Sequence, residues 1–356
     1  MLQKLLSALY STRLMALLFI GFAAAMAAGT FIEDAYNTET ARILVYNTWW
    51  FEAIMVFFVI NFFGNIKRYQ LYKKEKWATL LLHLSFIFII IGAFVTRYIS
   101  YEGLMPIREG AISNTVYSDM PHLTTFVDGE YQGEMKRKTI ENQLLLSQAV
   151  NNSFSYSDKF SDIPYKIELQ EFIMNASQTF KPNAKGDLYI KLVEASGGSR
   201  KEHFLRDGEV KNISNVLFAF NKFTQGAVNI SKIAEAYTIQ TPFDGNFMRM
   251  ADKFQGTISK DKASPLMFRS LYNAGGSQFV FPELAQNGEV VLASNNDYKD
   301  KKTDDAIVVK VTSQNKEEIV TLMGSKGKQG EPKSFKIGKL DFTLMYGSKV
   351  HNLPFS

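Results

Sequence analysis

The stretch "KWATLLLHLSFIFIIIGAFVTRY" (Lys76–Tyr98) decides how the chain is read. It is nearly all apolar and close to the ~20 residues that a helix needs to cross a bilayer core. Polar Lys76 and Arg97 frame it, which places a span at about 78–96. His83 breaks the pattern. An ionisable side chain inside a span is costly, so it points to function by default. A plainer reading is also open: a neutral imidazole can hydrogen-bond a neighbouring helix's carbonyl or reach headgroup water. Position alone does not separate the two.

Two more runs of this kind precede it. "LMALLFIGFAAAMAAG" (Leu14–Gly29) predicts a span at 14–31, and "WWFEAIMVFFVINFFGNI" (Trp49–Ile66) predicts one at 49–66. The first run also fits the small-residue end of a cleaved signal peptide. As an anchor, its Gly21, Ala25 and Gly29 form a stripe that allows close helix packing. The loop "KRYQLYKKEKW" carries Lys67, Arg68, Lys73, Lys74 and Lys76, whereas the loop between the first two spans carries only Arg42. Cationic loops stay in the cytoplasm. The N-terminus and second loop are therefore expected inside, and residues 99–356 outside. Trp49, Trp50 and Trp77 fall at the expected membrane interfaces.

After residue 98 the character changes. Alternating patterns run through "YKIELQEF", "DLYIKLVEA", "GEVVLAS", "AIVVKVTS", "EEIVTLMG" and "KLDFTLMYG". Turn signals separate them: "DG" at 128–129 and 207–208, "NG" at 287–288, and "GSKGKQGEPK". Period-two alternation between turns predicts strands. The fold class is thus a membrane protein with three N-terminal transmembrane α-helices (1–98) and a large, mostly β extracytoplasmic domain (99–356), a sandwich or open barrel. "ISKIAEAYTI" and "SPLMFRSLYN" are expected to be helical pieces.

Composition excludes several functions. The chain of 356 residues has no cysteine, hence no disulfide, thiolate metal site or thiol catalysis. A net charge of +5 without a basic, aromatic-laced cluster gives no sign of nucleic-acid binding. No nucleophile elbow, phosphate loop or His-rich metal spacing occurs. His122, His203 and His351 stand isolated in sequence and read as structural.

The faces of the third span sharpen the question about His83. At 100° per residue, Ala78, Ser85, Gly92 and Thr96 share one face, expected to pack on the chain's own helices. His83 lies opposite, with Phe86, Ile87, Ile90 and Phe94. That face would meet lipid, a partner helix or a flat apolar ligand. A haem suits it, because imidazole ligates iron axially and Phe and Ile line porphyrin faces. A second axial ligand would have to come from elsewhere, since no other span holds a histidine.

Several stretches resemble the ResB (also called CcsB) family of cytochrome c biogenesis proteins, in the form fused to CcsA. They are "AAGTFIEDAYNTETARILVYNTWWFE" (27–52), "INFFGNIKRY" (60–69), "LLHLSFIFIIIGAFVTRY" (81–98) and "EGLMPIREG" (102–110). "FLRDGEVKNI" and "LFAFN" are similar but less specific. The resemblance implies a component of the system II cytochrome c synthase of the bacterial inner membrane. Such a synthase exports haem b and attaches it to apocytochrome c in the periplasm. It implies His83 as one transmembrane axial ligand of the haem iron, with the second from a CcsA-type partner or fused half. It further implies apocytochrome c, and a thiol-reducing thioredoxin-like protein, as partners. Arg97, Arg42 and Arg108 are candidate contacts for haem propionates, against a plainer reading as surface or bilayer-edge charges. The family's fourth span is expected beyond "HNLPFS". This chain alone is not expected to be an active haem lyase. The competing reading is a non-enzymatic envelope scaffold or sensor, anchored in the lipid and carrying a β-rich binding domain.

Overall fold

The computed structural model describes residues 2–195, 200–300 and 303–354. Three of its helices are long and apolar enough to cross a membrane, and a large, mostly β region follows them.

Local chemistry sets the helix ends. After α1 (Leu2–Leu9), the Ser11 hydroxyl accepts the Leu14 N–H at 3.1 Å and caps α2 (Thr12–Ala35). Such a side chain satisfies one of the free N–H groups of a first turn. Asn37 repeats the device, accepting the Thr40 N–H at 2.9 Å at the start of the short α3 (Thr38–Ala41). A wide π turn (Arg42–Tyr46) leads into α4 (Trp49–Arg68), which ends on Lys67 and Arg68. Cations suit the negative end of a helix dipole. The third long helix, α5, spans Trp77–Tyr98.

Leu18 of α2, Phe58 and Phe62 of α4 and Ile87 of α5 form the buried centre of the helices, with Phe22, Ile54, Phe86 and Ile90 around it. Gly29 lets α2 lie directly on the Tyr46 ring, and Gly64 lets α4 lie on Tyr10. A Cβ at either position would collide with the ring. The stripe on α2 therefore packs as its small residues predict.

On α5 the expectation is reversed. Ala78, Ser85, Gly92 and Thr96 are exposed, and a Cβ at Gly92 would meet nothing within 4 Å. The inward face is the bulky one: Ile87 is 3% exposed, and the Phe86 ring stacks on Phe62 with centroids 5.3 Å apart. Dispersion contacts between large side chains outweigh close backbone approach here.

The chain divides into two compact units, one of residues 1–176 with 294–356 and the other of residues 177–293. In the first, a sheet built on Thr115–Tyr131 and Leu340–Asn352 also holds Gly103–Leu104, Glu134–Gln143 and Lys333–Ile337. A second sheet orders Lys316–Gly324, Asp305–Ser313, Ile163–Ile173 and Ser155–Phe160. One core joins both sheets: Leu123, Val127, Phe342 and Leu344 pack with Ile167, Val309, Val311 and Leu322. That is a β-sandwich.

The second unit has its own core, including Leu192, Phe218, Ile230, Tyr272 and Phe279. It holds a seven-stranded sheet and a five-stranded one, in which Val216–Phe220 runs parallel to Val228–Ile233.

Both expected helical pieces of the region after α5 are strands. "ISKIAEAYTI" is the hairpin Val228–Ile233 and Ala236–Gln240, turning at Ala234 with φ 54°. Its apolar residues match both periods, but Ile233 is exposed whereas Ile230, Tyr237 and Ile239 are buried, as the pleat requires. "SPLMFRSLYN" contributes Ser264–Pro265 and Ser270–Ala274, and Arg269 at φ 57° interrupts any helix between them.

Two turn signals also fail. Gly129 and Gly288 lie inside strands, and the turn after Gly129 falls at Gln132–Gly133 instead. Gly129 is needed because a Cβ there would stand 2.8 Å from Phe160.

Candidate functional site

His83 sits on the inward face of α5. Its ring meets the Phe62 ring edge-on, with centroids 5.5 Å apart. Nδ1 lies 2.9 Å from the carbonyl oxygen of Thr79, one turn earlier. A carbonyl only accepts, so Nδ1 carries the proton. In the neutral imidazole this leaves the lone pair on Nε2. A backbone acceptor that fixes the tautomer in this way is the usual partner of a metal-ligating histidine.

The ring borders a cleft of about 630 Å³ among α2, α4, α5 and the segment joining α4 to α5. Met15, Phe19, Phe62, Leu82 and Phe86 form apolar walls, and Thr12, Asn65 and Lys76 supply polar edges. A large apolar cleft with few polar groups is what a flat, mostly apolar ligand needs. The expected lining is only partly gathered here. Phe86 borders the cleft with His83, Ile87 and Ile90 belong to the helix packing, and Phe94 is 56% exposed farther along α5.

Asn61 and Asn65 are polar residues of α4 that hydropathy passed over. Asn61 is fully buried, and its amide donates to the carbonyls of Leu9 and Ser11 at 2.6 and 3.1 Å. Asn65 donates to Asn61 Oδ1 at 2.6 Å. Its own Oδ1 is buried, with no partner among the described residues. The test that singled out His83, a polar group inside a span, also selects both asparagines in "INFFGNIKRY".

The three arginines part company. Arg97 is engaged, with Nη2 at 2.5 Å from Glu52 Oε1 and Nη1 donating to the Tyr46 carbonyl at 2.7 Å. The Tyr98 hydroxyl donates to the same Glu52 oxygen at 2.8 Å. Arg42 reaches outward to Asp119 at 3.6 Å. Arg108 is exposed in the segment between Leu104 and Thr115.

Arg42 and Arg97 nonetheless border one further cleft of about 590 Å³, where the C-terminal end of α5 meets the first sheet. Its wall includes His122 and His351, brought together by the antiparallel pairing of Thr115–Tyr131 with Leu340–Asn352. His122 Nδ1–H donates to the Met120 carbonyl at 2.8 Å. Burial lowers the affinity of both imidazoles for a proton, and the Lys349 ammonium adds to this. Their separation along the chain left no local sign of the meeting. Among the described residues, no group of three or more His, Asp or Glu is arranged to hold a bare metal ion.

No family model matches the chain. Over 123 residues it is 41% identical to Protein NrfI of Wolinella succinogenes, a stretch that makes up 35% of this chain. The same stretch is only 13% of NrfI, so the chain covers a small part of that relative.

Proposed function

We propose that this chain is a ResB-like, haem-handling part of a membrane cytochrome c synthase of the system II type. Its role there is to deliver haem for covalent attachment to apocytochrome c. The similarity to NrfI supports the coarser part of this reading, cytochrome c biogenesis. The observation that carries the finer part is His83: an imidazole within a membrane-spanning helix, its Nδ1–H held by Thr79 and its Nε2 left as a lone pair beside an apolar cleft.

The residues fit haem as cargo. Imidazole nitrogen is a regular axial donor to haem iron. The Thr79 carbonyl holds the ring in the ligating tautomer, and the Phe62 edge limits its rotation. Phe19, Phe62 and Phe86 give the cleft apolar walls, and Lys76 and Thr12 give its polar edge groups that suit carboxylates. The second axial donor comes from a CcsA-type partner or fused half, because His83 is the only histidine in the spans. In this reading the lysine-rich loop is cytoplasmic and the β units are periplasmic, on the inner membrane, where they meet apocytochrome c and its thiol reductant.

The test is the visible spectrum of the full-length membrane complex. His83→Ala is expected to shift or abolish the Soret band and to reduce cytochrome c maturation at least tenfold. A variant that keeps both would refute the ligand role. It would leave His83 as a packing residue of a membrane-anchored envelope scaffold.

A further inference from the structure

We infer that the cleft beside His83 is also a phospholipid site. It takes one acyl chain of an anionic lipid, whose phosphate is held by the cations between α4 and α5. The lipid site stands without haem; only its displacement by haem rests on the function proposed above.

The first observation is a gradient along the cleft. Thr12, Tyr69 and Lys76 give it a polar end, and Phe19, Phe62, Leu82 and Phe86 wall the remainder. From Lys76 to Phe86 the chain rises about 15 Å, at 1.5 Å per residue. That is half of the ~30 Å hydrocarbon core, the depth of one leaflet. A polar mouth above an apolar slot of that depth suits an amphiphile.

The second observation is charge. Between residues 67 and 76, Lys67, Arg68, Lys73, Lys74 and Lys76 stand against Glu75 alone. Lys76 Nζ donates to the Tyr69 carbonyl at 2.7 Å, and Arg68 Nη1 donates to the Tyr10 carbonyl at 3.2 Å. Both acceptors are neutral, so these bonds position the two cations without compensating their charge. Lys73 and Lys74 are exposed. Leu71 is buried and lines the cleft, which holds this connector at its mouth. Cations clustered at the end of a membrane helix attract anionic headgroups.

The third is access. On the cleft walls Phe19 is 41% exposed and Leu82 is 56% exposed. Both belong to helices long and apolar enough to cross a membrane, where the surroundings are acyl chains. Apolar walls offer water no hydrogen-bond partners. Free phosphate would leave the slot unfilled, and an uncharged lipid would leave the cations without a counter-charge. An anionic phospholipid accounts for both.

The experiment is native mass spectrometry of the whole chain in a neutral detergent, with dioleoylphosphatidylglycerol or dioleoylphosphatidylcholine added. One phosphatidylglycerol is expected to be retained, with at least fivefold higher apparent affinity than phosphatidylcholine. A variant combining Lys73→Ala, Lys74→Ala and Lys76→Ala should lose that preference. Leu82→Trp, which puts an indole into the slot at an exposed position, should weaken phosphatidylglycerol binding at least tenfold with every lysine in place. Circular dichroism checks that both variants keep their helices. One equivalent of ferric haem should release the lipid from the unaltered chain.

Equal affinity for the two lipids overturns the proposal. So does undiminished binding in Leu82→Trp, which would put the acyl chain elsewhere. Displacement of the lipid by millimolar inorganic phosphate would mark a headgroup site alone and overturn it as well. If haem binds and the lipid stays, the shared cleft is refuted. If haem does not bind while both variants lose the lipid as described, the lipid site stands by itself.

Discussion

At the scale of single residues, the buried polar groups of the helices do different work. Asn61 ties α4 to the break between α1 and α2 through two carbonyls. Removing its amide takes a donor from the Leu9 carbonyl and the acceptor from the Asn65 amide, while the Ser11 carbonyl keeps the Met15 N–H, so Asn61→Ala should cost about 1 kcal/mol, the usual scale for such bonds within a bilayer. Reversible unfolding in mixed micelles measures this, and an unchanged midpoint would show that the amide is dispensable. His83 makes one bond to its own helix and keeps a free nitrogen. Its substitution should therefore alter ligand spectra far more than stability. His83 was legible in sequence as a polar residue in an apolar run, and the same test, applied to α4, would have found the two asparagines that were missed. His351 was not legible, because its burial arises only when strands from the two ends of the β region pair.

At the scale of elements, the glycines on α2 and α5 give a direct contrast. A side chain at Gly29 collides with Tyr46, whereas one at Gly92 enters open space. Gly29→Leu is expected to lose about 1–3 kcal/mol, the cost typical of overpacking. Gly92→Leu in the isolated chain should stay within about 0.5 kcal/mol, as exposed substitutions do. Equal losses in thermal or detergent unfolding would contradict the observed orientation of α5. That orientation was hidden in the sequence because both faces of α5 are apolar in a membrane setting. A helical wheel separates small residues from large ones, but does not say which class faces a neighbour. The strands in "YKIELQEF" and "AIVVKVTS" were legible because burial largely alternates along them, with the second face exposed or half-buried in the first and half-buried in the second. "ISKIAEAYTI" misled because its apolar residues satisfy both periods, and a left-handed residue at Ala234 decides between them.

At the scale of the whole molecule, the three imidazoles that follow α5 in the chain set a common acid response. His122, His203 and His351 all sit below the ordinary histidine value of 6.5, with burial the leading cause in each. The folded state resists protonation more than the unfolded chain does. Their contribution to stability is therefore complete above about pH 6.5 and is lost as pH falls through the lowered folded values. Melting followed by circular dichroism should show a lower Tm at pH 5.5 than at pH 7.5, with a smaller difference in His122→Gln. A Tm that is flat or rises in acid would exclude this linkage.

The unit of residues 177–293 begins and ends at one place: the Ser177 hydroxyl reaches the Ala293 carbonyl at 3.5 Å. The chain leaves the sandwich strands and returns to them through neighbouring positions. In genetic terms this is a cassette. A stretch whose entry and exit adjoin can be gained, lost or exchanged by recombination without rerouting the backbone around it. Its length and surface are thus free to diverge while the helices and the sandwich hold their form.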